Sequence, residues 1–344
     1  MISKKDIRTL SRSEICLHFK EAGEKKFRGN QVYEWLWKKS ATSFDHMTNL
    51  SLKNRLWLQE NYDILPLKIH QKQVSHDGTV KFAFMLFDNR LIEGVLIPAK
   101  NRMTACVSSQ VGCSLACKFC ATGFIKRERN LSPGEIYDQV VAINDEAMAR
   151  YNQPLSNIVF MGMGEPLLNY KNVISGIDKI CSPEGLGMSY KRITLSTAGI
   201  AKMIETLGQE MPKIHLALSL HAANDEKRNK IMSINETNNL QTLTASIQKY
   251  QNLTKQEITL EYMLLGDFND TEKDADELVK FSRKFHSKVN LIEYNPIDQA
   301  DFKKPTDHSI DIFAGILAKN NVNVNVRRSR GRDIDAACGQ LANK

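Results

Sequence analysis

The spacing of apolar residues divides the chain into three stretches. Over residues 1–65 apolar side chains recur at helical intervals. The segment 11–22 mixes polar and apolar positions, and in 31–39 Val32, Trp35 and Leu36 fall on one face, with Lys38 and Lys39 at its end. Leu52, Leu56 and Leu58 mark a further short helix. From 66 to 101 the rhythm becomes alternation with β-branched content, in KIHQKQVS, TVKFAFMLFD and RLIEGVLIPA. Turn signals stand at Asp77-Gly78 and Asp88-Asn89, so the pattern predicts a small antiparallel sheet. From 102 to 344 strand-like runs alternate with helical segments. Strands are predicted at 103–108, 157–161, 192–196, 214–220, 258–264, 289–294 and 322–326, and helices at positions such as 133–150, 170–180, 240–250, 272–285 and 309–319. This alternation predicts an α/β fold with a mainly parallel sheet. Six or so βα units suffice for a partial (β/α)6 barrel and are too few for an eight-fold one. The expected organisation is a helical N-terminal accessory domain (1–65), a small β-rich extension (66–101) and a barrel core (102–344).

Composition changes this picture little. The 344 residues are 42% hydrophobic and 25% charged, enough for a sizeable core and incompatible with disorder throughout. No run approaches the ~18 apolar residues of a membrane span, and the opening MISKKDIRTLSRSEI lacks an apolar signal region. A cytoplasmic protein with no membrane partner is expected. The net charge of +8 is compatible with a phosphate-rich partner without requiring one.

The cysteines change it more. There are seven, an odd number in a long chain, which speaks for metal binding or catalysis over a disulfide scaffold. Cys113, Cys117 and Cys120 fall within eight residues, in a loop after the first predicted barrel strand. Thiolates select zinc, copper(I) or iron–sulfur clusters. A structural zinc site normally has four ligands, and a fourth is absent nearby; zinc completed by a distant Cys or His is the bland alternative. Three thiolates on a four-iron, four-sulfur cluster leave one iron open for chemistry.

Polar groups gather where the predicted barrel strands end, the usual place for reactive groups in such folds. These are Gly162-Met163-Gly164-Glu165-Pro166, Ser196-Thr197-Ala198-Gly199, Ser219-Leu220-His221 and Asn295-Pro296. Singly, each reads as a turn, cap or surface residue; together they favour a ligand site. Near the C-terminus Cys338 is flanked by Arg327, Arg328, Arg330 and Arg332 and by Gly331 and Gly339. That setting predicts a flexible, electropositive loop and a reactive thiol of lowered pKa. Cys16 and Cys181 are expected to be buried structural thiols.

The CxxxCxxC loop in this setting resembles the radical S-adenosylmethionine (SAM) superfamily. The strings CVSSQVGCSLACKFCATG, FMGMGEPLLN, LSLHA and DIDAACGQL, with the N-terminal Phe-Arg-x-x-Gln-x-x-x-Trp pattern, are similar to its RlmN/Cfr family of RNA methyltransferases over nearly the whole chain. The resemblance implies a radical SAM barrel with a [4Fe-4S] cluster on Cys113, Cys117 and Cys120. It also implies SAM contacts at Gly164, Glu165, Ser196, Ser219, Leu220, His221 and Asn295, and two SAM molecules per turnover. It further implies that Cys338 carries a methyl group taken from one SAM, that a radical formed from a second activates it for addition to adenine, and that Cys106 releases the product through a disulfide. Glu93 matches the family's proposed general base. The implied reaction is methylation at C2 of adenosine 2503 in 23S rRNA and of adenosine 37 in tRNAs. The implied partners are 23S rRNA, tRNA and a low-potential electron donor such as flavodoxin or ferredoxin. Pro166 after Glu165 fits the C2-methylating members better than the C8-methylating Cfr type, which has Ala there. The alternatives are that C8 activity or a non-catalytic, metal-bearing RNA-binding protein. RNA contact is expected among Lys25, Lys26, Arg28, Lys126, Arg127, Arg129 and the arginines of 327–332.

Overall fold

The protein is described by a computed structural model over residues 4–342. It opens on helices α1 (Arg12–Glu21), α2 (Phe27–Trp37) and α3 (Leu52–Asn61). Ser11 caps α1 in a reciprocal box: its hydroxyl accepts from the Glu14 amide while the Glu14 carboxylate accepts from the Ser11 amide. Helix α2 begins one turn before the apolar periodicity suggests. The reason is Gly29, whose helix propensity is poor but which sits where α1 crosses; a β-carbon there would lie 2.6 Å from the Cys16 Cα. Close packing outweighs propensity, and Cys16 is buried at the crossing.

Ten strands form one sheet whose spatial order is the chain order. Strands β1 (Lys68–Val74), β2 (Val80–Met85), β3 (Leu91–Ala99) and β4 (Arg102–Cys106) make an antiparallel meander. Strand β4 then pairs in parallel with β5 (Asn157–Phe160), followed by β6 (Ile193–Thr197), β7 (His215–Ser219), β8 (Ile258–Leu264), β9 (Ser287–Glu293) and β10 (Asn323–Arg327), all parallel. The meander is thus continuous with the parallel sheet, because β4 pairs antiparallel with β3 on one edge and parallel with β5 on the other. Helices α4 (Pro133–Tyr151), α5 (Tyr170–Cys181), α6 (Ala201–Glu210), α7 (Asp225–Ile231), α8 (Leu240–Thr254), α9 (Glu272–Ser282) and α10 (Asp307–Lys319) occupy the crossovers. Six parallel crossovers make a partial (β/α)6 barrel. Its inner strand β8 is buried at every position, as expected when both faces of a parallel strand are covered.

The helical N-terminal domain is pinned to the barrel through α4. The buried Arg8 guanidinium donates to both Asp138 oxygens at 2.9 and 2.8 Å and to the Leu65 carbonyl at 2.6 Å. Trp37 meets Tyr137 edge-on at 5.1 Å. The sheet does not close on itself. Instead the segment after β10 runs back to the β1–β2 turn, where the Gly331 amide donates to Asp77 at 3.0 Å and the Ser75 hydroxyl donates to Asp333 at 2.6 Å. Among the described residues no helix is long and apolar enough to cross a membrane.

Candidate active site

The loop after β4 is built on a short antiparallel pair in which Gln110 faces Asn130 and Val111 faces Arg129. Gly112 is left-handed (φ +72°), and a β-carbon there would lie 2.3 Å from the Lys126 carbonyl oxygen, so only glycine lets the chain turn into the cysteine segment. The segment is then held from both sides. The Cys113 amide donates to the Ile125 carbonyl at 3.1 Å. The Lys118 amide donates to Ile231 at the end of α7 at 3.0 Å, and the Ser233 hydroxyl donates to the Leu115 carbonyl at 3.0 Å.

Cys113, Cys117 and Cys120 line one cavity of about 880 Å³, counting the space open to solvent at its mouth. Gly164, Glu165, Ser196, Ser219, His221 and Cys338 line the same cavity. Four other residues singled out in the sequence do not. Leu220 is fully buried and contributes its backbone: its amide donates to the Glu261 carbonyl and its carbonyl accepts from Arg228. Buried Asn295 donates to the Cys338 carbonyl at 3.4 Å, holding that residue from behind. Cys106 is buried at the end of β4, close enough to Cys338 for the two thiols to interact electrostatically. Burial pushes the Cys106 thiol up to about 12, with Cys338 adding to the rise.

Glu93 is fully buried. It pairs with Lys81, itself only 3% exposed, at 2.9 Å, and accepts from the Ala342 amide at 2.8 Å. Breaking a buried pair strands its partner. Glu93→Ala is therefore expected to destabilise the fold by about 3–5 kcal/mol, read from denaturant unfolding. An unchanged midpoint and slope would show that the pair does not hold the fold.

The rim is tied together by two charged side chains. Glu165 is buried and its carboxylate accepts from the Leu167 amide at 3.0 Å and the Ala198 amide at 2.8 Å, joining the loops after β5 and β6. Burial raises it to about 7, the hydrogen bonds opposing. Arg228, missed in the sequence, is fully buried on α7. It donates to the carbonyls of Leu220 (3.1 Å), Ala198 (2.6 Å) and Ser219 (3.3 Å) and to Asn235 (2.6 Å). Its signal was faint, one arginine in the polar run NDEKRNK. His221 takes a left-handed turn (φ +55°), and its Nδ1 accepts from the Met263 amide at 3.0 Å, which puts the ring proton on Nε2. Burial, then Arg228, lowers its pKa to about 3, so the ring is neutral.

Cys338 corrects the sequence reading. The residue is exposed and lines the cavity, yet surrounding protein atoms desolvate its thiol and raise its pKa, with Arg327 opposing. The flanking arginines do not create a strongly positive loop because three of the four are paired with carboxylates, while Arg330 donates to the Pro98 carbonyl. Arg328 contacts Glu293 and Asp307 at 2.6 Å each, Arg332 contacts Glu293, and Arg327 lies 3.8 Å from Glu261. The segment is also docked rather than loose. The Ala121 amide donates to Gly339 at 2.7 Å and the Thr122 hydroxyl to Leu341 at 2.6 Å, both beside Cys120. Of the basic residues singled out for RNA, Arg129 is held by Asp88 and Glu135, whereas Lys25, Lys26, Lys126 and Arg127 are exposed.

The three thiols are available to hold an inorganic cluster. Burial raises all three pKa values, Cys113 to about 11, so metal loading must displace protons. Among the described residues no group of three or more His, Cys, Asp or Glu side chains is arranged to hold a single metal ion. Three thiols lining a cavity shared with the polar rim residues fit a cluster with one iron left to a ligand.

Such a barrel with such a loop defines a radical SAM enzyme. Residues 107–281 match the radical SAM superfamily, and residues 5–64 match the ribosomal RNA large subunit methyltransferase N-terminal domain. The chain is 59% identical over 343 residues to a probable dual-specificity RNA methyltransferase RlmN of Cytophaga hutchinsonii, covering 100% of this chain and 94% of that one. It is 54% identical to a protein of the same description from Christiangramia forsetii, covering 99% and 97%. A crystal structure of a radical SAM methyltransferase from Sphaerobacter thermophilus superposes with a TM-score of 0.93 at 36% identity, covering 99% of this chain and 100% of that one. The chain belongs to the RlmN family of radical SAM RNA methyltransferases. The family implies an iron–sulfur cluster, SAM, an RNA substrate and a reductant.

Proposed function

We propose that this enzyme methylates C2 of adenosine 2503 in 23S rRNA and of adenosine 37 in tRNAs, through a methyl group carried on Cys338. The observation that carries the reading is that Cys338 lines the cavity of the three-thiol loop while Cys106 lies within electrostatic reach of it. Cys113, Cys117 and Cys120 hold the [4Fe-4S] cluster, which when bound supplies the electron that cleaves SAM to a 5′-deoxyadenosyl radical. Two SAM molecules are consumed per turnover, one as methyl donor to Cys338 and one as radical source. The electron enters from a low-potential donor of the flavodoxin or ferredoxin kind.

The chain's own residues set the order of events. Cys338 accepts a methyl group on sulfur, losing its proton and releasing S-adenosylhomocysteine. After hydrogen abstraction from that methyl, the carbon on Cys338 joins adenine C2, so RNA and protein become covalently linked. Adenine C2 is electron-poor, and direct displacement on SAM does not serve there. The adduct gives one electron to an acceptor, which the oxidised cluster would supply, and its C2 proton to a base. Cys106 then attacks the Cys338 sulfur; an S–S bond forms, the S–C bond breaks, and the released carbon takes a proton to become the product methyl. Glu93 is the proton acceptor implied by the family pattern. To act it must give up the Lys81 and Ala342 contacts when the C-terminal segment shifts. Exposed Lys25, Lys26, Lys126 and Arg127 supply phosphate affinity, and the target base leaves its stack to enter the cavity.

Two measurements test this. Cys106→Ala is expected to accumulate a covalent protein–RNA adduct that migrates as one species on denaturing gels; normal turnover without adduct contradicts the release step. Nuclease digestion and mass spectrometry of treated rRNA and tRNA are expected to show 2-methyladenosine. Finding only 8-methyladenosine sinks the C2 assignment.

A further inference from the structure

Strand β8 carries a carboxylate in the run ITLEYML, where every position is buried. Glu261 is 3% exposed, and it lines the cavity beside the three cysteines, Ser196, Ser219 and Cys338. In register it stands between Ser219 on β7 and Asn290 on β9, one polar level crossing three strands. One of its oxygens accepts from Asn290 at 2.9 Å and lies 3.8 Å from the Arg327 guanidinium. The other, Oε2, is buried with no hydrogen-bond partner among the described residues. A buried carboxylate with half its acceptor capacity unused destabilises the fold relative to an apolar residue of similar size. Asn290 and Arg327 account for one oxygen, and the cavity that the side chain lines is where donors for the other can come from.

A carboxylate only accepts hydrogen bonds, so its ligand must present donors. The two candidate ligands of this cavity both contain adenosine. They differ at the sugar. SAM has a free 2′,3′-diol, two adjacent hydroxyl donors that suit one carboxylate, as ribose hydroxyls suit acidic residues in dinucleotide folds. A nucleotide within RNA has its 3′ oxygen esterified to an anionic phosphate, which a buried carboxylate repels. The neighbouring Ser196 and Ser219 hydroxyls, 3.2 Å apart, extend the same polar row.

We propose that Glu261 holds the ribose of SAM by accepting hydrogen bonds from its hydroxyl groups, with Asn290 and Arg327 orienting the carboxylate. The inference rests on the proposed radical SAM reading of the cavity and adds to it a residue outside the cysteine loop and the rim motifs.

The test uses the full chain, reconstituted with its cluster under anaerobic conditions. The probes are S-adenosylhomocysteine, which cannot methylate Cys338, and its 2′,3′-dideoxyribose analogue. Wild type is expected to bind the first roughly 10- to 100-fold more tightly than the second, the range for hydrogen bonds to a charged acceptor. Glu261→Gln is expected to lose most of that difference, binding both at the level of the analogue, with iron content and visible spectrum unchanged. Glu261→Asp, which withdraws the carboxylate by one methylene, gives the same readout if the glutamine variant does not load its cluster. Equal discrimination by wild type and variants overturns the proposal. So does weakened RNA binding with S-adenosylhomocysteine affinity intact, which assigns Glu261 to the target nucleotide instead. Failure of wild type to bind S-adenosylhomocysteine at all overturns the reading of the cavity itself.

Discussion

Replacing Cys117 with serine is expected to leave a chain that folds, holds almost no iron and forms no 5′-deoxyadenosine from SAM and dithionite. The argument starts from ligand chemistry. A serine hydroxyl is the same shape but stays protonated and hard, whereas iron–sulfur clusters want soft thiolates. With only three thiols on the loop, losing one leaves two, and the other thiol lining the cavity, Cys338, stands on the C-terminal segment outside the loop. The fold does not depend on the cluster in the same way. The loop is anchored by backbone bonds from Cys113 to Ile125 and from Lys118 to Ile231, and by Ser233 to the Leu115 carbonyl, none of which uses a sulfur. Iron per chain, roughly four in the reconstituted wild type for a cluster of this kind, is the primary reading. Far-ultraviolet circular dichroism and the unfolding midpoint provide the control. Retention of four irons with an unchanged spectrum would show that the trio is not the ligand set.

Cys338→Ala is the second large effect, and its signature is the opposite. Iron content and cleavage of SAM to 5′-deoxyadenosine are expected to survive, while transfer of a methyl group to RNA falls to background. Alanine removes the proposed carrier without disturbing its supports: the Asn295 bond is to the Cys338 carbonyl, and the neighbouring Gly339 carbonyl still receives the Ala121 amide. Nor does it leave a buried charge, because the raised pKa keeps the thiol neutral before reaction. Two readings separate the carrier from a merely structural cysteine. With methyl-labelled SAM, wild-type protein freed of RNA is expected to carry label on one residue and the variant on none. Methylated RNA at wild-type yield from the variant would remove Cys338 from the reaction.

The two substitutions divide the cavity by chemistry. The cysteine loop is the proposed holder of the electron source, and the C-terminal segment brings the proposed methyl carrier to it. The docking bonds from Ala121 to Gly339 and from Thr122 to Leu341 place that segment directly over the cysteine loop. The β1–β2 turn completes the clamp through Asp77 and Ser75. The antiparallel meander therefore has a use beyond enlarging the sheet: its first turn anchors the segment that carries Cys338.

Much of this was legible in the sequence because it depends on local period and spacing. The seven parallel strands follow from apolar runs set between helical segments, and their ends match the observed ones to within one or two residues. The cysteine trio declares itself by spacing alone. The polar strand ends mark a mouth because parallel crossovers bring all of them to one side.

What tertiary structure alone decided concerns distant partners. The arginines around Cys338 read as a positive loop, but Glu261, Glu293 and Asp307, up to 66 positions from their partners in the chain, pair with three of the four, and burial then raises the thiol. Nothing in the run around Glu93 marks it as a buried ion-pair partner; its pairing with Lys81 depends on how β2 and β3 face inward. Arg228 and Glu261 carry no motif, and their significance comes from complete burial among groups that only folding assembles. Periodicity and spacing are properties of neighbours along the chain, so the amino-acid order determines them. Desolvation and charge compensation are properties of neighbours in space, and they took their sign only when the barrel and its C-terminal segment came together.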